Sequence, residues 1–375
     1  MSKTGRLNAM RPVWLEIDLG RLACNYRLLA AKAPDAKVVG VVKANAYGHG
    51  AAVIGKELIQ LGAWGLAVAT VSEGKALRQA GITAPVLLLG SLHPDESEDV
   101  LNEKLTPFIG TWEAAAGLEA AARARGIVAE AHVKVDTGMG RVGVPAASAK
   151  NFVDMASKLS HLRVTGIASH LASADEDPVQ TNDQIKQFQE VKRVLGPGYL
   201  YHLANTYGIL GFPQASFDMV RPGYGLYGLA ENTGLMPIAR LLAKPSLIKQ
   251  VNAGTPIGYG AFYRARENEW VATLPVGYAD GVPRSLVGKG AVRLGQKTLP
   301  MVGRISMDQI TVRLEEQTNL EEVFEVLTPD FHPLTSLNGW ANLVGTVAYE
   351  TAVRLSPRLP RVYVRNGVQV ERVEA

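Results

Sequence analysis

Short runs of β-branched and apolar residues alternate, through the first two-thirds of the chain, with stretches whose apolar positions recur every three or four residues. The runs predict eight strands, at 38–42, 64–69, 86–89, 105–108, 131–135, 164–168, 199–202 and 218–221. Helical spacing fills most of the intervals, as at 51–61 and 111–125, and Gly62, Gly81, Pro85, Gly126, Gly196 and Pro197 punctuate the joins. Strands separated by helical crossovers pair in parallel, because each connection must return across the sheet before the next strand begins. Eight such strands close a (β/α)8 barrel, and an open doubly wound sheet is the competing arrangement. The eight units fit within residues 38–221, a short span for a fold that usually takes ~250 residues, which predicts brief helices.

A further strand, 13–19, and a helix, 21–32, precede the first barrel strand. The helix is expected to cover the barrel from its N-terminal side, and the surplus strand to pair with a C-terminal domain. After about Lys244 the pattern changes: 246–251, 270–274, 291–294, 298–302 and 309–314 read as strands joined by Gly-rich turns. Helical spacing survives there only around 338–350. Two domains are predicted: an α/β barrel over 12–243, and a mainly β C-terminal domain over 244–375 joined by the N-terminal strand within 1–19.

The chain's 375 residues suffice for two such domains. Hydrophobic residues make up 47% and charged residues 20%, enough apolar mass for a large core, which excludes disorder as the main state. A net charge of +4 without a dense Lys/Arg run is not the footprint of a nucleic-acid partner. No apolar run approaches the ~18 residues of a membrane span. The one cysteine, Cys24, allows no internal disulfide and no Cys-based metal site. The basic first twelve residues are not followed by the apolar stretch of a secretory signal. Together these features predict a soluble, cytoplasmic protein with neither nucleic acid nor membrane as partner.

In a barrel, functional groups gather at the C-terminal ends of the strands. Lys43 ends the first predicted strand, in Val41-Val42-Lys43-Ala44-Asn45-Ala46-Tyr47. Desolvation there lowers a lysine's pKa and frees the amine as a nucleophile, as Schiff-base chemistry requires; a strand-end lysine reaching solvent is the plainer alternative. The fifth strand runs through Lys134 toward Arg141 in a Gly-rich turn. Two cations facing one mouth need an anion between them, or one must lose its charge. His170 follows the sixth strand, where a lone histidine is more often a hydrogen-bonded core residue than a catalyst. The seventh strand leads through His202 to Asn205 and Thr206, and the eighth to Arg221-Pro222-Gly223-Tyr224. The Thr206 hydroxyl and the amides near Gly223 and Tyr224 make a plausible phosphate cradle, since such barrels commonly bind phosphate after strands seven and eight.

The stretch from Val41 to Gly50 resembles the pyridoxal-phosphate lysine signature of alanine racemases. The resemblance continues, in order and across both predicted domains, through 134–143, 169–171, 221–228, 258–260, 277–281 and 304–308. It implies pyridoxal 5'-phosphate as cofactor, no metal, and a homodimer whose active sites are shared between subunits. The implied reaction interconverts L-alanine and D-alanine and supplies D-alanine for peptidoglycan. By this resemblance Lys43 holds the cofactor through a Schiff base and serves the D-substrate. Tyr259, in Gly258-Tyr259-Gly260, serves the L-substrate from the opposite face and the other subunit. Inverting a Cα centre by this route needs one group to remove a proton and another to deliver one. A tyrosine used as a base near neutrality needs neighbouring positive charge, its ordinary pKa being ~10.

Arg221 corresponds to the partner of the cofactor's ring nitrogen. An arginine stays charged and leaves that nitrogen unprotonated, which disfavours a full carbanion and hence transamination. His170 is implied to hydrogen-bond Arg221 and link it to the tyrosine. Tyr47, Thr206, Gly223 and Tyr224, with Asn205 beside them, correspond to the phosphate-binding set. Arg141 matches the residue contacting the phenolic oxygen and the substrate, and Tyr278, Met307 and Asp308 match residues around the substrate carboxylate and the entrance. Lys134 matches a position carbamylated in many members, a change that would turn one of two facing cations into an anion. Asp175 and Arg304 fit outer channel positions. One departure concerns the entrance: aligning Tyr349-Glu350 and Pro360-Arg361 puts Pro357 where some members carry a tyrosine. The nearest alternative is therefore a racemase of the same fold preferring serine, lysine or arginine. A carbamylated-lysine metal hydrolase would want converging histidines, and the seven here are scattered in sequence. A non-catalytic cofactor carrier explains Lys43 but not Tyr259.

Overall fold

Eight parallel strands close on themselves: Lys37–Val41, Gly65–Val68, Val86–Ser91, Thr106–Ile109, Ala129–Asp136, Leu162–Ala168, Leu200–His202 and Met219–Val220. Each pairs with the next, and Met219–Val220 returns to pair with Lys37–Val41, so the sheet is a barrel rather than an open doubly wound sheet. This computed structural model describes residues 11–374. The basic start of the chain lies outside the described residues except for Arg11 and Pro12. Gly65–Val68 is buried at every position, as strands covered on both faces must be.

The outer helices are set by local chemistry. Thr70 caps Val71–Gln79 in a reciprocal pairing with Glu73. Asp177 caps Pro178–Leu195, whose first residue is a proline. The expectation of brief helices is not met, since Pro178–Leu195 has 18 residues and Trp112–Ala124 has 13. The short repeat is achieved in the strands instead, where Leu200–His202 has three residues and Met219–Val220 two. The first helix, Leu19–Ala31, does not cap the N-terminal side of the barrel. Its Asn25 Nδ2 donates to the carbonyl of Leu226, past the C-terminal end of the eighth strand, at 3.1 Å. No helix among the described residues is long and apolar enough to cross a membrane.

The chain divides into two units: Leu22–Leu235, and the residues up to Arg21 together with those from Met236 onward. The division falls before 243 because Ala239–Ala243 is not a barrel strand. It pairs antiparallel with Val13–Asp18 (Leu15 opposite Leu241), and the other edge of Val13–Asp18 pairs in parallel with Arg361–Arg365. These three lie side by side toward one edge of a ten-stranded sheet that also holds the five strands predicted after Lys244. The helix predicted around 338–350 is two, Leu337–Val344 and Ala348–Val353, separated where Gly345 takes a left-handed conformation at φ +74°.

One buried anion knits the loops of this second unit. Asp280 has no exposed surface and accepts from Arg11 (2.5 and 3.2 Å), Arg358 (2.8 and 3.1 Å) and the Gly277 amide (2.9 Å). Burial alone would raise its pKa, but the bonds from Arg358, Arg11 and Gly277 hold it below the ordinary carboxylate value. With a folded pKa below the unfolded one, Asp280 stabilises the fold above about pH 4, and that contribution is lost as pH falls through the folded value. Asp280→Ala removes the carboxylate shared by Arg11 and Arg358, leaving Arg358 only its bond to Asp308, and should cost about 2–4 kcal/mol at neutral pH. The difference from the parent should shrink in melts taken toward pH 3, and equal Tm values at pH 7 would remove this cluster from the unit's stability.

Candidate active site

The chain leaves the first barrel strand through a left-handed turn. Ala44, Asn45, Ala46 and Tyr47 have φ of 50°, 53°, 54° and 53°. For residues with a Cβ this conformation costs about 1–2 kcal/mol each, and such strain is characteristically held at functional sites. Hydrogen bonds offset it: Ala46 N to Val42 O (2.7 Å), Gly48 N to Ala44 O (2.9 Å) and Ala51 N to Asn45 Oδ1 (2.8 Å). Glu73, which caps its own helix, also accepts from the Ala44 amide at 2.6 Å. The Tyr227 ring packs on Tyr47 and His49 at 4.8 and 4.7 Å between centroids, while its hydroxyl donates to Val41 O at 2.7 Å.

Lys43 stands at the start of this turn, and its pKa is lowered by burial and then by Arg141, with Glu73 opposing. Lys134 lies near the end of the fifth strand, only 7% exposed, its Nζ donating to Val135 O at 3.1 Å. Burial first, then Arg221 and Arg141, against Asp136, bring its pKa to about 7, so much of it is neutral amine near physiological pH. Arg141 is exposed on a turn organised by Asp136, whose carboxylate accepts the amides of Gly138, Met139 and Gly140. His170 has its pKa held well below the ordinary value by burial and by Arg221, Lys134, Arg141 and Lys43. The fold thus brings all four cations into one electrostatic neighbourhood.

Arg221 is buried and firmly held. It donates to His202 Nδ1 (2.6 Å), Ser169 O (2.6 Å) and Leu203 O (3.2 Å), while His170 Nδ1 lies at 3.5 Å. The short imidazole partner is therefore His202 rather than His170. His202 in turn pairs through Nε2 with His132 Nδ1 at 2.9 Å. Sequence reasoning did not assign His132 or His202, because both fall inside predicted strands and a histidine there reads as core. Thr206 Oγ1 accepts the amides of Gly225 (3.0 Å) and Gly223 (3.4 Å), and Asn205 caps the helix Thr206–Gly211 through the Gly208 amide. Tyr47 adjoins this cradle, since a Cβ on Gly223 would stand 2.7 Å from its hydroxyl. Tyr224 follows directly and is buried.

Tyr259 belongs to the other unit and is 71% exposed, between Gly258 and Gly260, whose φ values are +71° and +67°. Arg304 lies over the Phe262 ring at 6.0 Å. The Tyr278 and Met307 loops are strapped together by Tyr278 N to Ser306 O and Ala279 N to Met307 O, both 3.0 Å. Asp308 pairs with Arg358 at 2.7 Å, and Pro357 O receives a long 3.5 Å bond from Arg361.

Residues 17–231 match the family model described as alanine racemase, N-terminal domain, and residues 238–363 the one described as alanine racemase, C-terminal domain. The chain belongs to the alanine racemase family. An alanine racemase of Symbiobacterium thermophilum is 36% identical over 372 residues, covering 95% of this chain and 98% of its own length. That of Syntrophobacter fumaroxidans is 38% identical over 350 residues, covering 90% and 93%. Among solved structures, alanine racemase from Clostridium difficile 630 superposes with a TM-score of 0.92 at 32% identity, covering 98% of this chain and 99% of its own. The alanine racemase from Bacillus anthracis with bound L-Ala-P gives 0.90 at 31% identity, with the same coverage.

Within the alanine racemase barrel, the cradle's geometry makes a local test available. Gly223→Ala would drive a methyl group against the Tyr47 ring, which is buried and packed on Tyr227 and so has little room to yield. The expected loss is about 1–3 kcal/mol. An unchanged Tm would show that the cradle yields.

Proposed function

We propose that this enzyme interconverts L-alanine and D-alanine with pyridoxal 5'-phosphate, using Lys43 and Tyr259 as its two proton-transfer groups. The observation that carries this reading is the desolvated Lys43 amine in a cluster with Lys134, Arg141 and Arg221. Such a cluster calls for an anionic partner. A phosphate ester with a phenolic oxygen and an acceptor ring nitrogen fits it. Arg221 carries five N–H donors, and three of them serve His202, Ser169 and Leu203, which leaves two without a partner among the described residues. These suit a ring nitrogen. Arg141 suits the phenolic oxygen, and Tyr47, Asn205, Thr206, Gly223 and Tyr224 the phosphate.

Bound there, the cofactor supplies the electron withdrawal that makes a substrate Cα–H acidic. The chain's own residues do the rest. Lys43, its pKa lowered by burial, offers its amine on one face, and Tyr259 a hydroxyl on the other; one takes the α-proton while the other delivers one. Arg221 has a pKa of about 10, so it stays cationic at working pH and presents hydrogens to the ring nitrogen without giving one up. His170 lies at the edge of this contact. Arg141, Tyr278, Met307 and Asp308 surround the substrate carboxylate and the entrance, whose width Pro357 helps set. Tyr259, Phe262 and Met307 are each more than half exposed, which favours a homodimer in which they complete the partner's barrel site. Supply of D-alanine for peptidoglycan in the cytoplasm goes with this activity. The neutral fraction of Lys134 adds to carbon dioxide, forming an N–C bond and releasing a proton, and the resulting carbamate balances Arg141.

Lys43→Ala should abolish the visible absorbance of lysine-bound cofactor and nearly all racemisation; a comparable residual rate rejects the assignment. Tyr259→Phe should keep the absorbance and slow solvent exchange of the L-alanine α-hydrogen by about 10²–10⁴-fold, more than that of D-alanine. Equal losses in both directions count against an asymmetric pair. Carbon-13 bicarbonate should give a carbamate resonance that Lys134→Ala removes, and its absence from the parent enzyme would leave Lys134 a plain amine.

A further inference from the structure

Two histidines stand behind Arg221 and have no role in the two-base scheme. Nη1 of Arg221 donates to His202 Nδ1 at 2.6 Å, and His202 Nε2 lies 2.9 Å from His132 Nδ1. Arg221, His202 and His132 are 4%, 0% and 2% exposed. A guanidinium can only donate, so His202 Nδ1 is an acceptor and its ring hydrogen sits on Nε2. That N–H can only be answered by an accepting Nδ1 on His132, which puts the hydrogen of His132 on Nε2 as well. Every bond in the chain therefore runs one way, away from the arginine. Burial first, and Arg221 next, hold both imidazoles neutral, His132 at about 3 and His202 well below its ordinary value.

The barrel interior is shaped around this pair. Phe108 stacks on His132 (6.0 Å, 18°) and meets His202 edge-on (5.5 Å, 61°). The two imidazoles cross at 69°, an angle that a ring N–H bonded to a neighbouring ring nitrogen permits. A Cβ on Gly166 would stand 2.7 Å from three His132 ring atoms, so the sixth strand leaves the space that this ring fills. The pairing of the fifth and sixth strands also shifts register between Ala131 and His132, a bulge that re-aims the histidine. Packing alone would not ask for two polar rings here, since apolar side chains would fill the same volume without desolvating polar atoms.

We infer that His202 and His132 are positioning residues for the racemase reaction, a one-way hydrogen-bond relay that holds the Arg221 guanidinium in place at the barrel mouth. The inference rests on the reading of Arg221 as the partner of the cofactor's ring nitrogen. Nitrogen-15 histidine spectra of the holoenzyme read the relay directly. Two Nε2–H imidazoles should persist unchanged from about pH 8 to about pH 5, across the range where an ordinary histidine titrates. An Nδ1–H tautomer at either position, or titration in that range, overturns the relay.

Substitution separates positioning from filling. His202→Leu removes the acceptor and should lower kcat by about 10–100-fold with little change in KM, while shifting the ring-nitrogen resonance of nitrogen-15 cofactor. His202→Asn offers an amide oxygen in place of Nδ1 and should recover most of that loss and return the resonance toward the parent position. Equal defects in the two variants would make the histidines core filling and sink the inference. If the Leu variant does not fold, the tautomers of the parent enzyme still decide. Arg221→Lys separates the underlying reading: an unmoved ring-nitrogen resonance would overturn the ring-nitrogen contact, and with it the relay's catalytic purpose, while the histidine tautomers independently report whether the relay exists.

Discussion

Repulsion between like charges at the barrel mouth is the constraint on which the site depends. Lys43, Lys134, Arg141 and Arg221 share one partly desolvated region, where burial and then Arg141 disfavour ionisation of Lys43, and burial, Arg221 and Arg141 that of Lys134. An arginine cannot relieve this by losing a proton near neutrality, so the shift falls on the lysines, whose pKa values are lowered. Lys134, the most buried of the lysines here, moves furthest, to about 7. Burial first, and Arg221 next, keep His170, His202 and His132 neutral, and a neutral imidazole can serve as an acceptor toward a guanidinium. The protein alone does not balance these charges, which is the electrostatic condition for holding an anionic cofactor.

Rigidity is the second requirement, because charges that repel will separate if the backbone lets them. The left-handed turn after Lys43 has an unfavourable conformation, yet it is braced from three sides by Glu73, Asn45 and the Tyr227 ring. Arg221 is held by two carbonyls and an imidazole. In the other unit the same logic uses a buried anion: Asp280 ties Arg11 and Arg358 together, and Arg358 passes the connection to Asp308. Exposed side chains such as Tyr278 and Met307 are thus carried on loops whose backbones are tied together.

The expectations that needed correction share a cause. Brief helices were inferred from repeat length, but a parallel barrel strand can be as short as Met219–Val220, so repeat length does not set helix length. The place of the first helix was inferred from its order in the chain, whereas Asn25 binds near Leu226, 201 residues away. His170 comes within hydrogen-bond reach of Arg221 as expected, but the shorter imidazole contact, from His202 in the barrel interior, was not foreseen. In each case the deciding interaction lies between residues distant in sequence.

The sequence by itself determined where the eight barrel strands fall, the mainly β texture after Lys244, and the placing of Lys43, Lys134, His170, Thr206 and Arg221 at strand ends. Those features are local: hydrophobic period, turn residues and strand-end position are written in neighbouring residues. Only the tertiary structure decided that Val13–Asp18 joins strands from 239 and 361, that burial and two arginines lower the pKa of Lys134, and that His202 and His132 stand behind Arg221. Pairing, desolvation and through-space charge depend on which distant segments meet, and no local pattern in the chain encodes that meeting.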